Sequence, residues 1–324
     1  MSTIPSFEIK YFHHGRFKVA GGVLPDAVTA YQTFGNPANP CIVFPTCYGA
    51  QLRLDSQLYL VGEDKALDPR KYFIVTFALF CNGESSSPSN TQPPYNGPYF
   101  PLVSYEDNIR AQYAVLQSLG VNKVYCAIGF SMGGQQPAQQ MVNVEELDVK
   151  DDCNSWHHHS FLEGPKNAMK AAKDFDDGHY KSTPQHAIRA FGRAYSAWAM
   201  DRRYNGLYPT MEAWLREAWE GRYIMYWDAN DMIALLLTWQ NGDVSVVRDG
   251  GDFETCLRSI KAKALIMPCK TDLYFCPEDS EVEVSLLQDA RLTVIDSVWG
   301  HVAGGSANPT DVQFITAKIK EFLN

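Results

Sequence analysis

The chain is short of several things, and each shortage removes a class of function. Among its 324 residues no run approaches the roughly 18 apolar residues of a membrane span. The opening stretch MSTIPSFEIKYF has no basic patch followed by a long apolar run, and the closing IKEFLN is neither a retention nor a peroxisomal tripeptide. A cytoplasmic protein away from membranes is the expectation. Positive charge is scarce too. Lys and Arg number 28 against 37 Asp and Glu, a formal net charge of −9. A nucleic-acid groove or an anionic membrane surface needs the opposite balance. The eight cysteines form no C-x-x-C pair, and several sit in apolar runs such as CIVF and VYCAIGF. They read as reduced core residues rather than a disulfide framework. Internal repeats and low-complexity tracts are absent.

What remains is an ordinary globular composition, 45% hydrophobic and 20% charged. Residues 7–34 alternate in FEIKYF and VTAYQTF, the pattern of antiparallel edge strands. CIVFP (41–45), YFIVTFAL (72–79), KVYCAIGF (123–130) and KALIMP (263–268) are short unbroken apolar runs, as buried strands require, and RLTVID (291–296) is a fifth candidate. Between them, 104–120 reads as a helix with Ile109, Tyr113 and Leu116 on one face and Gly120 as its stop. Strands alternating with helices predict an α/β protein with a mostly parallel central sheet. Residues 165–240 are different: rich in helix formers and dense in aromatics, including Phe191, Tyr195, Trp198, Trp214, Trp219, Tyr223, Tyr226, Trp227 and Trp239. They read as a helical insertion whose aromatics form its own core. The expected organisation is a core of 1–160 and 245–324 with a helical lid at 161–244.

The chemistry starts at CAIGFSMGGQQ (126–136). Gly129-Phe130-Ser131-Met132-Gly133 fits G-x-S-x-G, and it follows a buried strand and opens a helix. That context presents a serine hydroxyl at the carboxyl end of a sheet, with backbone N–H groups aimed at developing negative charge. An acid and a histidine should follow in that order. KALIMPCKTDLYF brings Asp272 past one strand, and LTVIDSVWGHVAGG brings His301 past another. In that arrangement His301 takes the Ser131 proton, Asp272 fixes its tautomer and Ser131 attacks an acyl carbonyl. The oxyanion donors are expected to be the N–H of Met132 and that of Cys47 or Tyr48, in the TCYGA loop after CIVFP. CNSWHHH (153–159) superficially resembles a metal cluster, but adjacent histidines cannot converge on one ion, so no metal is expected.

With the elbow GFSMGGQQ, the Gly-His pair at 300–301, RAYSAW (193–198), WDANDM (227–232) and the loop ALFCNGESSSPSN (78–90), the chain resembles the homoserine O-acetyltransferase-like branch of the α/β-hydrolase fold. The resemblance runs from about residue 15 to the end. It implies a Ser-His-Asp acyl-transfer enzyme with no bound cofactor and no metal, taking an acyl-CoA such as acetyl-CoA as co-substrate and passing its acyl group to a small-molecule alcohol. It also implies substrate contacts from Arg193, Tyr195, Trp227 and Asp228, and a possible homodimer. The sequence departs from the family in three places. Val302 follows the histidine where the family has an acid. The Ser-rich loop differs from the acetyltransferase form. After Gln136 the pattern breaks: Pro137 falls about six residues past Ser131, where it interrupts a helix, and the one strand candidate, MVNVEELDV (141–149), is too charged for a sheet interior. An esterase or thioesterase of the same fold, and a non-catalytic binding protein, are the alternatives.

Overall fold

The computed structural model describes residues 8–54, 58–136, 155–199, 208–221, 223, 226–245 and 249–324; of 155–160 and 197–199 it describes the backbone alone. Strand β1 (Lys10–Val19) pairs antiparallel with β2 (Gly22–Phe34), which pairs antiparallel with β4 (Phe73–Phe77). Then β4, β3 (Cys41–Pro45) and β5 (Val124–Ala127) run parallel, giving the order β1-β2-β4-β3-β5. All five residues of β3 and of β4 are buried, as their unbroken apolar runs require. Successive side chains of a strand point to opposite faces, and the core divides accordingly. Ile42, Phe44 and Ile74 pack with Ile315 and Ile319 of helix α8 (Pro309–Leu323). Cys41, Val43 and Val75 pack with Val115 and Leu116 of α1 (Tyr105–Ser118).

Helix α1 is fixed at its start by a capping box. Ser104 Oγ accepts from Asp107 N at 3.1 Å, and Asp107 Oδ2 accepts from Ser104 N at 2.8 Å. One expectation for this helix fails: Tyr113 is 59% exposed, while Asn108, Ala111 and Gln112 are buried. The buried stripe therefore includes polar side chains with distant partners. Asn108 Oδ1 accepts from Phe80 N at 2.8 Å, and Gln112 Nε2 donates to Gln136 Oε1 at 2.7 Å.

Among the described residues the sheet of β1 to β5 is mixed, with two antiparallel and two parallel pairs. Strands β6 (Ala264–Ile266) and β7 (Ala290–Leu292) form a separate parallel pair, and no strand of the described residues joins β5 to β6. The chain that follows the elbow, where a joining strand would come, includes 137–154, which lies outside the described residues together with the candidate 141–149. Ser131 and His301 line one cavity together with Tyr274 and Phe275. The side chains of CNSWHHH likewise fall outside the described ones.

Among the described residues between β5 and β6 the helices include α2 (Ser155–Lys170), α3 (Gln185–Ala199), α4 (Met211–Trp214) with a π-helical turn at Leu215–Gly221, and α5 (Ala229–Gln240). Its buried side chains share one core with residues that follow β3, β4 and β5. Phe161, Phe191, Tyr195, Trp219, Tyr223, Trp227 and Trp239 cluster with Tyr48, Leu79 and Met132. The helical segment thus sits over the carboxyl ends of the strands. Tyr226 is the exception among the expected aromatics, at 39% exposed, and the Trp198 side chain lies outside those described. Helices α6 (Phe253–Ser259) and α7 (Pro277–Leu286) flank β6 and β7 in the chain. Among the described residues no helix is long and apolar enough to cross a membrane.

Candidate active site

Ser131 stands where β5 ends and a helix begins, with φ +55°. A side chain with a Cβ rarely adopts this left-handed region, and a non-glycine held there marks a turn imposed by its surroundings. The flanking glycines show what imposes it. A Cβ on Gly129 would lie 2.0 Å from Gly133 O, so the two arms of the turn cross backbone to backbone. A Cβ on Gly133 would lie 2.8 Å from both Pro45 O and Thr46 O, at the end of β3. Only glycine permits either approach, which is the physical content of G-x-S-x-G here.

The turn aims the serine at the histidine loop. Ser131 Oγ and His301 Nε2 are 2.8 Å apart, and His301 Nδ1 and Asp272 Oδ2 are 2.8 Å apart. A carboxylate only accepts, so Nδ1 carries the proton and donates to Asp272, leaving Nε2 to accept from the serine hydroxyl. Asp272 is itself oriented: its Oδ1 accepts from Tyr274 N at 2.8 Å and from Phe275 N at 3.2 Å. The loop that carries His301 is tied to the Asp272 turn through Thr271. Gly300 N donates to Thr271 Oγ1 at 3.1 Å, and that hydroxyl donates to Ser297 O at 3.1 Å. Asp272 and His301 are both buried, at 7% and 9% exposure. This order of donors and acceptors can pass the serine proton to an imidazole whose cationic form faces a fixed carboxylate.

The remaining expected site residues divide. Met132 is buried and opens the helix after the elbow, and Cys47 and Tyr48 lie in the turn after β3, where Ala50 N donates to Cys47 O at 3.1 Å. The Tyr48 side chain goes into the aromatic core, stacked on Trp227 at 6.1 Å with its hydroxyl donating to Met232 O at 3.3 Å. Tyr195 stacks on Tyr274 at 5.3 Å, and Tyr274 meets His301 edge-on at 4.9 Å. Burial raises the hydroxyl pKa of Tyr48, Tyr195 and Tyr274 well above the usual phenol value, so all three are neutral donors. Tyr195 and Trp227 therefore belong to an aromatic wall continuous with the histidine.

Arg193 and Asp228 are placed otherwise. The Arg193 guanidinium is held by Glu212, at 2.7 Å, and by Glu220, on an exposed side of α3. The Asp228 carboxylate caps α5: Oδ1 accepts from Asn230 N at 2.9 Å, from Asp231 N at 3.2 Å and from Tyr180 OH at 2.7 Å. Local carboxylates hold Arg193, and local amides with the Tyr180 hydroxyl hold Oδ1 of Asp228.

Sequence reasoning missed two features. One is the set of rings on His301: Phe130 stacks at 4.9 Å and Phe275 at 5.4 Å. Both residues stand inside motifs that were singled out, but ring contacts across the fold leave no local signal. The other is Asp231, which is 2% exposed and ties α5 to the loop at 78–90: its Oδ1 accepts from Ser89 N at 2.9 Å and its Oδ2 from Ser89 Oγ at 2.6 Å. Burial, with Asp228 next to it, raises its carboxyl to about 7. Among the described residues no group of three or more His, Cys, Asp or Glu is arranged to hold a metal ion.

No protein-family model matches the chain. It is 30% identical to a probable esterase of Corynebacterium glutamicum, over 94% of this chain and 92% of that one. It is 28% identical to an ethyl acetate hydrolase of Pseudomonas veronii, over 92% and 89%. It is 27% identical to a homoserine O-acetyltransferase of Trichormus variabilis, over 87% and 85%. Among solved structures, the acetyl esterase MekB superposes with a TM-score of 0.90 at 25% identity, covering 98% of this chain and 96% of that one. The chain belongs to the α/β-hydrolase-fold family that holds these esterases and homoserine O-acetyltransferases, and it is a serine hydrolase or acyltransferase.

Proposed function

We propose that the enzyme hydrolyses small carboxylic esters, acetyl esters foremost, through an acyl-Ser131 intermediate. The observation that carries this reading is the unbroken line Ser131–His301–Asp272, with both links at 2.8 Å. The Ser131 Oγ–H bond breaks and its proton passes to His301 Nε2 as Oγ bonds the ester carbonyl carbon. The carbonyl electron pair moves onto oxygen, where the N–H of Met132 and that of Cys47 or Tyr48 receive it. When the C–O bond to the alcohol breaks, Nε2 returns the proton to the leaving oxygen. Water then repeats the sequence on the acyl-serine: it gives a proton to Nε2, attacks the carbonyl carbon and releases the acid. Asp272 keeps the tautomer throughout.

The esterase reading rests on the names of the more similar relatives, a probable esterase and an ethyl acetate hydrolase. The helices from α2 to α5 act in it as the lid, and their aromatic core reaches the site through Tyr195, which stacks on Tyr274 beside His301. A second reading keeps the same acyl-serine but passes the acyl group from acetyl-CoA to an alcohol. The homoserine O-acetyltransferase relative favours it. The choice between water and alcohol is then set by how far the lid excludes water.

A fluorophosphonate probe tests the nucleophile. The wild-type protein is expected to label once, and Ser131→Ala not at all; a folded wild type that resists the probe would overturn both readings. Product analysis separates them. Ethyl acetate should give acetate and ethanol without a second substrate, and acetyl-CoA with alcohols should give free acetate alone. Ester formed from acetyl-CoA and an alcohol would replace hydrolysis with transfer.

A further inference from the structure

The rings about His301 form an ordered series. Trp239 of α5 stacks on Phe275 with centroids 6.1 Å apart and planes 8° from parallel. Phe275 stacks on the His301 imidazole at 5.4 Å and 21°, and Phe130 stacks on the same imidazole at 4.9 Å and 26°. Tyr274 meets its edge at 86°. The polypeptide makes room for this arrangement. A Cβ on Gly304 would lie 2.4 Å from Phe130 Cε2, so the histidine loop uses a residue without a side chain where the Phe130 ring must lie. Tyr59 OH donates to Gly304 O at 2.5 Å and holds that part of the loop in place. Phe130 is also fixed from its own side, between the Gly129 backbone crossing and Ser131.

We infer that Phe130 and Phe275 are positioning residues that favour the cationic form of His301 during acyl transfer. The inference rests on the reading of His301 as the base. Before the reaction its Nε2 accepts from the Ser131 hydroxyl. The ring becomes imidazolium only between taking the Ser131 proton and giving it to the leaving oxygen. Asp272 meets that charge at Nδ1, in the plane of the ring. Phe130 and Phe275 meet it through their faces, where the aromatic quadrupole is negative. Both centroids fall within the roughly 6 Å over which a cation and a ring face attract. A neutral imidazole gains less from the same contact, so the interaction is stronger in the transition state than in the ground state, as a rate enhancement requires. The parallel Trp239 ring keeps Phe275 face-on and places the helical segment in the same series.

Fluorination of the two rings tests this, because it drains the negative face while leaving the shape almost unchanged. Phe275, and separately Phe130, would be replaced in the full-length enzyme by phenylalanines carrying one, two, three and five fluorines. The readouts are kcat and KM on an alkyl acetate, with the thermal midpoint measured alongside. The expected result is a graded fall in kcat with fluorine number, to about a two- to fivefold loss for each fully fluorinated ring, at unchanged KM. Phe275→Trp, which has a more negative face, should retain the wild-type kcat within about twofold where Phe275→Leu does not. A kcat that stays flat along the fluorine series in folded protein overturns the inference, because a ring that only fills space would give that result. Ser131→Ala is the control: residual turnover in that variant would sink the reading of the site itself, whereas a dead Ser131→Ala with a flat series would sink only the role of the rings.

Discussion

Asp231 offers a sharp test of how α5 and the loop at 78–90 are joined. Its carboxyl is almost wholly removed from water, in the first turn of α5, and the Asp228 carboxylate lies next to it. Burial first, and Asp228 second, raise its pKa from 3.8 to about 7; the two Ser89 bonds and the Arg53 charge oppose this and are outweighed. The other titratable groups facing it are Cys81 and Tyr180, both raised in pKa by burial first and by its charge in part. A carboxyl that holds its proton more tightly folded than unfolded is a group whose ionisation opposes folding. Its contribution is fully present below about pH 4 and is lost as pH rises to about 7. A proton affinity higher by about three powers of ten, at about 1.4 kcal/mol each, makes a loss on the order of 4 kcal/mol across that window. Asp231→Asn removes the ionisation and keeps an acceptor oxygen for Ser89. Urea unfolding of both proteins at a series of pH values from about 4 to about 8.5 measures the difference. The variant should gain on the wild type by about that amount between the two ends, whatever its offset at the acid end. A difference that stays constant with pH would refute the account and place Asp231 in the folded protein with an ordinary proton affinity.

Two further outcomes follow from single contacts. Gly129→Ala puts a methyl 2.0 Å from Gly133 O, backbone against backbone. The expected cost is several kcal/mol or a displaced elbow, read as a lower urea midpoint together with lost fluorophosphonate labelling; a variant that labels at the wild-type rate would show that the crossing can yield. His14 has its pKa lowered to about 4, mainly by burial, from an unfolded value near 6.5. Its stabilising contribution is present above about pH 6.5 and lost as pH falls towards 4, so His14→Gln should flatten the fall in thermal midpoint over that window, and an unchanged fall would exclude His14 as its source.

The features legible in the sequence are those set by neighbours in the chain. The buried strands β3 and β4 showed as unbroken apolar runs, and Ser131, Asp272 and His301 showed because each follows such a run. What stayed hidden depends on partners far along the chain. Tyr113 continues the apolar spacing of α1, yet it faces water because Asn108 and Gln112 take buried places. Their burial is supported by Phe80 N and Gln136, 28 and 24 residues away. Arg193 lies within RAYSAW, and its carboxylate partners Glu212 and Glu220 come 19 and 27 residues on. The ring series through His301 joins residues 130, 239, 275 and 301, and no local pattern announces it.

The break in the family pattern after Gln136 raises the question of what holds Ser131. Among the described contacts, several come from chain that precedes the elbow. Gly133 rests against the Pro45 and Thr46 carbonyls at the end of β3. Gln135 Oε1 accepts from Tyr105 OH at 2.5 Å, and Gln136 Oε1 accepts from Gln112 Nε2 at 2.7 Å, so α1 grips both glutamines of the elbow helix. Gln112 and Gln136 are almost wholly buried, and a buried amide pair that loses one partner leaves the other uncompensated. Among the described residues, β3 and α1 hold the first turn after Ser131. From the other side, His301 is held by Asp272, by Phe130 and Phe275, and through Gly304 by Tyr59. Phe130 belongs to both sets, since it is the residue before the serine and a ring on the histidine. The elbow and the histidine loop are thus registered to each other by direct contact between them, and the 2.8 Å link from Ser131 to His301 follows from that contact.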